Sequence, residues 1–80
     1  MDNALQIYNA IFRNAFGLAD DQLHQLAYKT YPEWNSMAHL SLISALEEEL
    51  NINFEADDIF AFKSYDQGKE LLHERFGLNF

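Results

Sequence analysis

Apolar residues recur along this chain at intervals of three and four, and this spacing restricts the fold more than any other feature of the sequence. The period is that of amphipathic helices, and no stretch shows the alternation of a half-buried strand. The pattern predicts a first helix over residues 3–16 that ends at Gly17, and a second and strongest helix over Ser36–Leu50. Asn51 is suited to the left-handed cap of the second helix. In the first helix the apolar residues with this spacing are Leu5, Ile7, Tyr8, Ile11, Phe12, Ala15 and Phe16, and in the second helix Leu42, Ile43, Leu46 and Leu50 lie on one face.

The rest of the chain predicts two further helices and one long connection. Residues 18–35 contain the single proline and irregularly spaced apolar residues, so we expect an ordered loop with room for a helical turn after Asp20. A short helix is predicted over residues 57–62, because the acidic residues that open it suit a helix N-terminus. Ser64 and Gln67 fit a capping box that opens the last helix, with Leu71, Leu72 and Phe76 facing inward. Gly68 costs that helix about 1 kcal/mol relative to alanine, so it should be the softest.

These elements predict one all-α domain over residues 1–80, a four-helix bundle with a short third helix and a long loop between helices one and two. The 80 residues include no cysteine, which excludes a disulfide framework, a thiolate zinc site and a thiol nucleophile. A hydrophobic content of 49% predicts a folded chain despite the net charge of −8. That charge argues against nucleic-acid and membrane-surface binding and favours basic protein partners. Without an apolar run of spanning length or a signal-peptide pattern at the start, we expect a cytoplasmic monomer.

Side chains that could support catalysis or metal binding show no recognisable spacing. His24, His39 and His73 form no paired zinc motif, and the acidic residues between 47 and 58 lack the spacing of a calcium loop. We therefore expect no metal site, no catalytic residue and no enzymatic activity. His39 is predicted at the edge of the core beside Ile43, packed against the long loop. The aromatic residues assigned to the core are Phe54, Phe60, Phe62, Tyr65 and Phe76.

The most informative segment leads into the second helix. Pro32 and Trp34 bring the chain to Ser36, at the first turn of that helix. Serine is a preferred N-cap residue, so a purely structural role is one explanation. The other is a functional site: the free N–H groups of Met37, Ala38 and His39, with the positive end of the helix, would stabilise a phosphate on Ser36.

Residues 34–40, followed by 42–43 and 45–50, closely resemble the phosphopantetheine attachment region of acyl carrier proteins, and the likeness extends over nearly the whole chain. The resemblance implies that a phosphopantetheinyl transferase, using coenzyme A and magnesium, attaches 4′-phosphopantetheine to Ser36, with Trp34, Asn35 and Met37 as the flanking motif. The thiol of the arm would then carry an acyl or aminoacyl thioester to loading and transferring enzymes of fatty-acid-like, polyketide or other specialised biosynthesis. The Pro-Glu-Trp lead-in is similar to that of stand-alone carriers of specialised pathways. By the same resemblance, some core aromatics line a cavity that shelters an acyl chain.

The chain departs from this family at charged positions. Asn35 stands where the family usually has aspartate, and Ala38 and Ser41 occupy positions that are often acidic in fatty-acid carriers. The expected partners therefore differ from those of housekeeping fatty-acid synthesis. The alternative function is an acidic helical interaction module that keeps the carrier fold but is not modified. On a helical wheel the residues that project away from the core are mostly small and neutral: Met37, Ala38, Ser41, Ser44, Ala45 and Glu48. The residues expected to face partner proteins are Ala38, Ser41, Ser44, Glu47 and Glu48.

Overall fold

A computed structural model describes residues 4–80, and this part of the chain is mostly helical with no strand. The predicted all-α class is confirmed. The prediction for Asn3 lies outside the described residues. No helix within residues 4–80 has both the length and the apolar character needed to cross a membrane. The elements in chain order are α1 (Ala4–Phe16), a 3₁₀ helix (Asp20–Gln25), α2 (Ser36–Leu50), α3 (Ala56–Ala61) and α4 (Tyr65–Phe76).

The first two α-helices end where the sequence predicts. Gly17 has a φ of +70°, and its N–H donates to the carbonyl of Arg13 at 2.7 Å. Asn51 takes the left-handed conformation with φ +58°, which an asparagine tolerates better than most residues. Both helices therefore stop by left-handed caps, and α1 and α2 pack against each other.

The segment between α1 and α2 is held against the connection between α3 and α4. Leu23 and Leu26 are fully buried, and Leu23 belongs to the 3₁₀ helix that follows Asp20. An isolated antiparallel bridge joins Ala27 to Ser64, with the Tyr28 N–H donating to the Lys63 carbonyl at 2.7 Å. The segment is thus an ordered part of the fold, because both its apolar side chains and its main chain have partners.

A buried carboxylate joins α3 to α4. Asp58 is almost wholly buried, accepts the Glu55 N–H at 3.1 Å, and accepts two hydrogen bonds from the Arg75 guanidinium at 2.7 and 3.0 Å. These hydrogen bonds from Arg75 hold the pKa of Asp58 below its ordinary value. α3 ends at Ala61, one residue earlier than predicted, because Phe62 leaves the helical conformation with ψ +101°.

The start of α4 differs in part from the predicted capping box. Ser64 caps the helix by accepting the Gln67 N–H at 3.0 Å. The Gln67 side chain does not return the bond to Ser64, but accepts the N–H of Lys63 at 2.8 Å. The reciprocal contact is therefore displaced by one residue, and it fixes the turn between α3 and α4.

Gly68 has a packing role that its helix propensity does not reveal. A Cβ atom at this position would lie 2.8 Å from Cε1 of Phe62, and closer still to Cζ of that ring and to the hydroxyl of Tyr8. Phe62 and Tyr8 are both fully buried. Only a glycine lets α4 approach these two side chains, so the residue predicted to soften the helix is the one that allows it to pack.

The core combines large aromatic rings with buried leucine and isoleucine side chains. Trp34, Tyr8, Phe12 and Phe62 are among the largest fully buried side chains, and Tyr65 is buried with them. Phe54 and Phe76 are half-buried and meet edge to face at 5.6 Å between ring centroids. The core assignment of Phe60 is wrong: its side chain is 76% exposed, because the short α3 turns this position outward.

Candidate functional site

Asn35, not Ser36, is the N-cap of α2. The Asn35 side chain accepts the Ala38 N–H at 3.0 Å, and its carbonyl accepts the His39 N–H at 2.8 Å. Ser36 is the first helical residue and is exposed. Because the capping role belongs to its neighbour, the structural explanation for Ser36 as a helix cap is wrong.

The same cap changes which N–H groups a phosphate on Ser36 could use. Of the three groups expected to be free, those of Ala38 and His39 already donate to Asn35. The N–H of Met37 has no hydrogen-bond partner within residues 4–80. An anion at Ser36 would therefore meet the positive end of α2 with this one N–H of the three.

The hydroxyl of Ser36 has a neighbour that the sequence did not indicate. The Tyr28 hydroxyl lies 3.1 Å from Ser36 Oγ, across the chain turn that Trp34 anchors. Lys29 enters this turn with a φ of +71°, its N–H donates to the Trp34 carbonyl at 3.3 Å, and the Trp34 N–H donates to Tyr31. These bonds fold residues 28–34 back on themselves, which brings Tyr28 to Ser36 although the two are eight positions apart in the chain.

His39 connects this turn to α3. The indole N–H of Trp34 donates to His39 Nδ1 at 2.9 Å, and His39 Nε2 lies 2.9 Å from the carbonyl oxygen of Ile59. Indole is only a donor and a carbonyl only an acceptor, so Nδ1 is unprotonated and Nε2 carries the proton. The prediction that His39 is buried against the long loop is confirmed, and its imidazole also fixes α3.

The face of α2 that points away from the core is neutral near Ser36, and it is more apolar than predicted. Met37 is 80% exposed and Leu40 is 58% exposed; Leu40 was not among the residues assigned to this face. Ser41, Ser44 and Glu48 are exposed as well, whereas Ala38 is half-buried.

Glu47 does not lie freely on this face. Its side chain is half-buried, and the carboxylate accepts the N–H of Phe54 at 2.8 Å. Glu47 therefore organises the connection between α2 and α3. Nothing in the sequence around Glu47 distinguishes this structural role from that of a solvent-exposed acid.

A groove of about 480 Å³ runs between α1 and α2. Ser41 and Glu49 lie at this groove with apolar residues of both helices, and none of the aromatics assigned to an acyl-sheltering cavity lines it. Phe62 and Tyr65, two of those aromatics, are instead buried in the packed core. The apolar wall of the groove is formed by Ile7, Ala10, Ile11, Ala15, Leu42 and Ala45.

The titratable side chains do not converge on a metal site. Within residues 4–80, no group of three or more His, Asp and Glu side chains could hold an ion. His24 pairs with Asp66 at 2.7 Å, and His73 Nδ1 lies 2.8 Å from the Leu78 carbonyl oxygen. The three histidines thus have separate partners in different parts of the fold.

Comparisons with family models, with curated proteins and with solved structures find no match to this chain. The functional assignment of Ser36 therefore depends on the motif around it and on the geometry of the first turn of α2.

Proposed function

We propose that this protein is an acyl-carrier-type protein whose Ser36 accepts 4′-phosphopantetheine from coenzyme A. The observation that carries the proposal is the exposed hydroxyl of Ser36 at the first turn of α2, with a neighbouring residue serving as the cap. A serine released from capping can be modified without loss of the helix start.

The modification is a phosphoryl transfer carried out by a separate phosphopantetheinyl transferase with magnesium. Ser36 Oγ forms a bond to the phosphorus of the phosphopantetheine half of coenzyme A. The bond from that phosphorus to the bridging oxygen breaks, adenosine 3′,5′-bisphosphate leaves, and the hydroxyl proton passes to a base on the transferase. The thiol of the attached arm then carries an acyl or aminoacyl group as a thioester. Because these 80 residues contain no cysteine, that thiol has no competitor among them.

The surface beside Ser36 favours partner enzymes that do not require a row of acidic residues on the carrier. Asn35, Ser41 and Ser44 are exposed and neutral, and Met37 adds an apolar side chain. Loss of rim charges mainly lowers association rates and changes partner choice. We therefore assign the carrier to loading and transferring enzymes of a specialised pathway, acting in the cytoplasm on a monomeric carrier.

The test is to incubate the protein with coenzyme A, magnesium and a broad-range transferase, and to measure intact mass. Wild type should gain one phosphopantetheine, and Ser36→Ala should gain none. Ser44→Ala is the matched control, because this second exposed serine of α2 should be dispensable. No mass gain in wild type with several transferases would refute the carrier function, and a gain that survives Ser36→Ala would move the site.

One observation favours a second function, an unmodified interaction module with the same fold. Met37, Leu40 and Phe60 are large apolar residues that are more than half exposed. They lie on both sides of the His39 to Ile59 hydrogen bond that joins α2 to α3. A binding face of this kind would act without any modification of Ser36, and the mass measurement above separates the two functions.

A further inference from the structure

We propose that Tyr28 is a positioning residue for Ser36: its hydroxyl donates a hydrogen bond to Ser36 Oγ before modification and to the phosphodiester afterwards. This inference rests on the proposed carrier function. The two oxygens are 3.1 Å apart, which makes this a long hydrogen bond between two hydroxyl groups.

The phenol is held where it is from two directions. The Tyr28 ring stacks on the imidazole of His39, with centroids 4.8 Å apart and an angle of 29° between the planes. That imidazole is itself fixed at both nitrogens, by the indole of Trp34 and by the Ile59 carbonyl. The backbone of Tyr28 is tied to Lys63 by its N–H. The hydroxyl is therefore preorganised, because the ring stacks on a fixed imidazole and the backbone that carries the ring is anchored to Lys63.

The chemistry of the transfer gives this hydrogen bond a direction. Ser36 Oγ must lose its own proton to the transferase base while it attacks phosphorus, so that proton has to point away from the protein. A hydrogen bond donated by Tyr28 occupies one lone pair of Ser36 Oγ and leaves the serine proton free to point to the base. After transfer Ser36 Oγ carries no hydrogen, so Tyr28 can only be the donor.

The phosphodiester strengthens the contact. Hydrogen bonds to charged acceptors are shorter and stronger than those between neutral groups. With the unused N–H of Met37, the Tyr28 hydroxyl would supply a second donor at the root of the arm. It replaces in part the N–H groups of Ala38 and His39, which Asn35 already occupies.

The experiment compares Tyr28→Phe with wild type in the full chain. Phenylalanine keeps the ring that stacks on His39 and removes only the hydroxyl. The matched control is Tyr31→Phe: the Tyr31 ring packs edge to face on Phe16, and its hydroxyl has no hydrogen-bond partner within residues 4–80. We expect Tyr28→Phe to lower the maximal loading rate by up to roughly fivefold, the full value of one ordinary hydrogen bond, because Ser36 Oγ loses its fixed orientation. The carrier concentration for half-maximal rate should not change. Tyr31→Phe should load at the wild-type rate.

Two further measurements distinguish positioning from folding and from failure of the carrier function. The phosphorus NMR resonance of the loaded protein should shift in Tyr28→Phe and stay unchanged in Tyr31→Phe. In the unmodified protein, the melting-temperature losses of Tyr28→Phe and Ser36→Ala should be less than additive, because both remove the same bond. The role of Tyr28 would be overturned by additive losses, or by a Tyr28→Phe protein that loads at the wild-type rate with an unchanged phosphorus resonance. A wild-type protein that is never loaded would instead refute the carrier function, while the additivity measurement still reports on the bond.

Discussion

Replacing Gly68 by alanine should destabilise the protein, although alanine is the better helix former. Alanine in place of glycine inside a helix gains about 1 kcal/mol. Overpacking a well-packed core costs about 1–3 kcal/mol. We place Gly68→Ala at the upper end, because the new methyl group would meet two fully buried side chains, Phe62 and Tyr8, at distances that real Cβ atoms do not adopt.

The net loss is then about 2 kcal/mol in the free energy of unfolding. For a domain of this size each kcal/mol corresponds to a shift of roughly 4–8 °C in melting temperature, so Gly68→Ala should melt about 10 °C lower than wild type. Thermal unfolding followed by circular dichroism, with urea unfolding at 25 °C as a second measure, gives both quantities.

Two variants isolate the cause. Ala15→Gly, at an exposed position of α1, should cost about 1 kcal/mol and calibrates the helix-propensity contribution in this protein. In a Phe62→Leu background the ring that blocks the methyl group is gone, so the penalty of Gly68→Ala should shrink. A rise in melting temperature on Gly68→Ala, or a penalty that is unchanged when Phe62 is leucine, would refute the reasoning from close approach.

Three other outcomes follow from single contacts. The hydrogen bonds from Arg75 lower the pKa of Asp58 in the folded state. This pair therefore stabilises the protein fully above about pH 4, and the stabilisation is lost as the pH falls through the lower folded pKa. Between pH 7 and pH 3, urea unfolding should show a smaller loss of stability for Asp58→Asn than for wild type. Trp34→Phe removes the indole N–H that donates to His39, and should lower the free energy of unfolding by about 1–3 kcal/mol in the same assay. A loss near zero would contradict a stabilising role for the hydrogen bonds from Trp34 through His39 to Ile59. Asn35→Asp should preserve the melting temperature and raise the loading rate by a transferase that reads acidic carriers, so unchanged rates would show that the charge is irrelevant.

The sequence predicted most of the local structure because local structure has local signals. The ends of α1 and α2 follow from Gly17 and Asn51, which tolerate the left-handed conformation, and the start of α4 follows from Ser64. The spacing of apolar residues is weaker evidence for α3, because that helix is shorter than two turns. Over so short a helix, the spacing does not determine whether Phe60 faces the core or solvent. On the same short helix Asp58 is buried and bonded to Arg75, a contact that no spacing rule contains.

Contacts between distant residues were not accessible from the sequence. Gly68 was interpreted from its helix propensity, because its close approach to Tyr8 depends on how α4 packs against α1. The hydrogen bond between Tyr28 and Ser36 joins a loop to a helix start, and it depends on a left-handed Lys29 that no composition rule indicates. A sequence can assign a serine to the first turn of a helix, but it does not specify which side chains the loop brings to it.

Asn35 shows that the geometry of this helix start does not require a negative charge beside Ser36. An N-cap needs a side-chain oxygen that accepts a backbone N–H, and asparagine provides this oxygen as aspartate does. The bond from Ala38 to Asn35 is therefore independent of charge, and so is the position of Ser36 one residue later. What asparagine cannot supply is the long-range attraction that a carboxylate exerts on a basic partner. A capping role and an electrostatic role at this position are thus separable, and Asn35 supplies only the first.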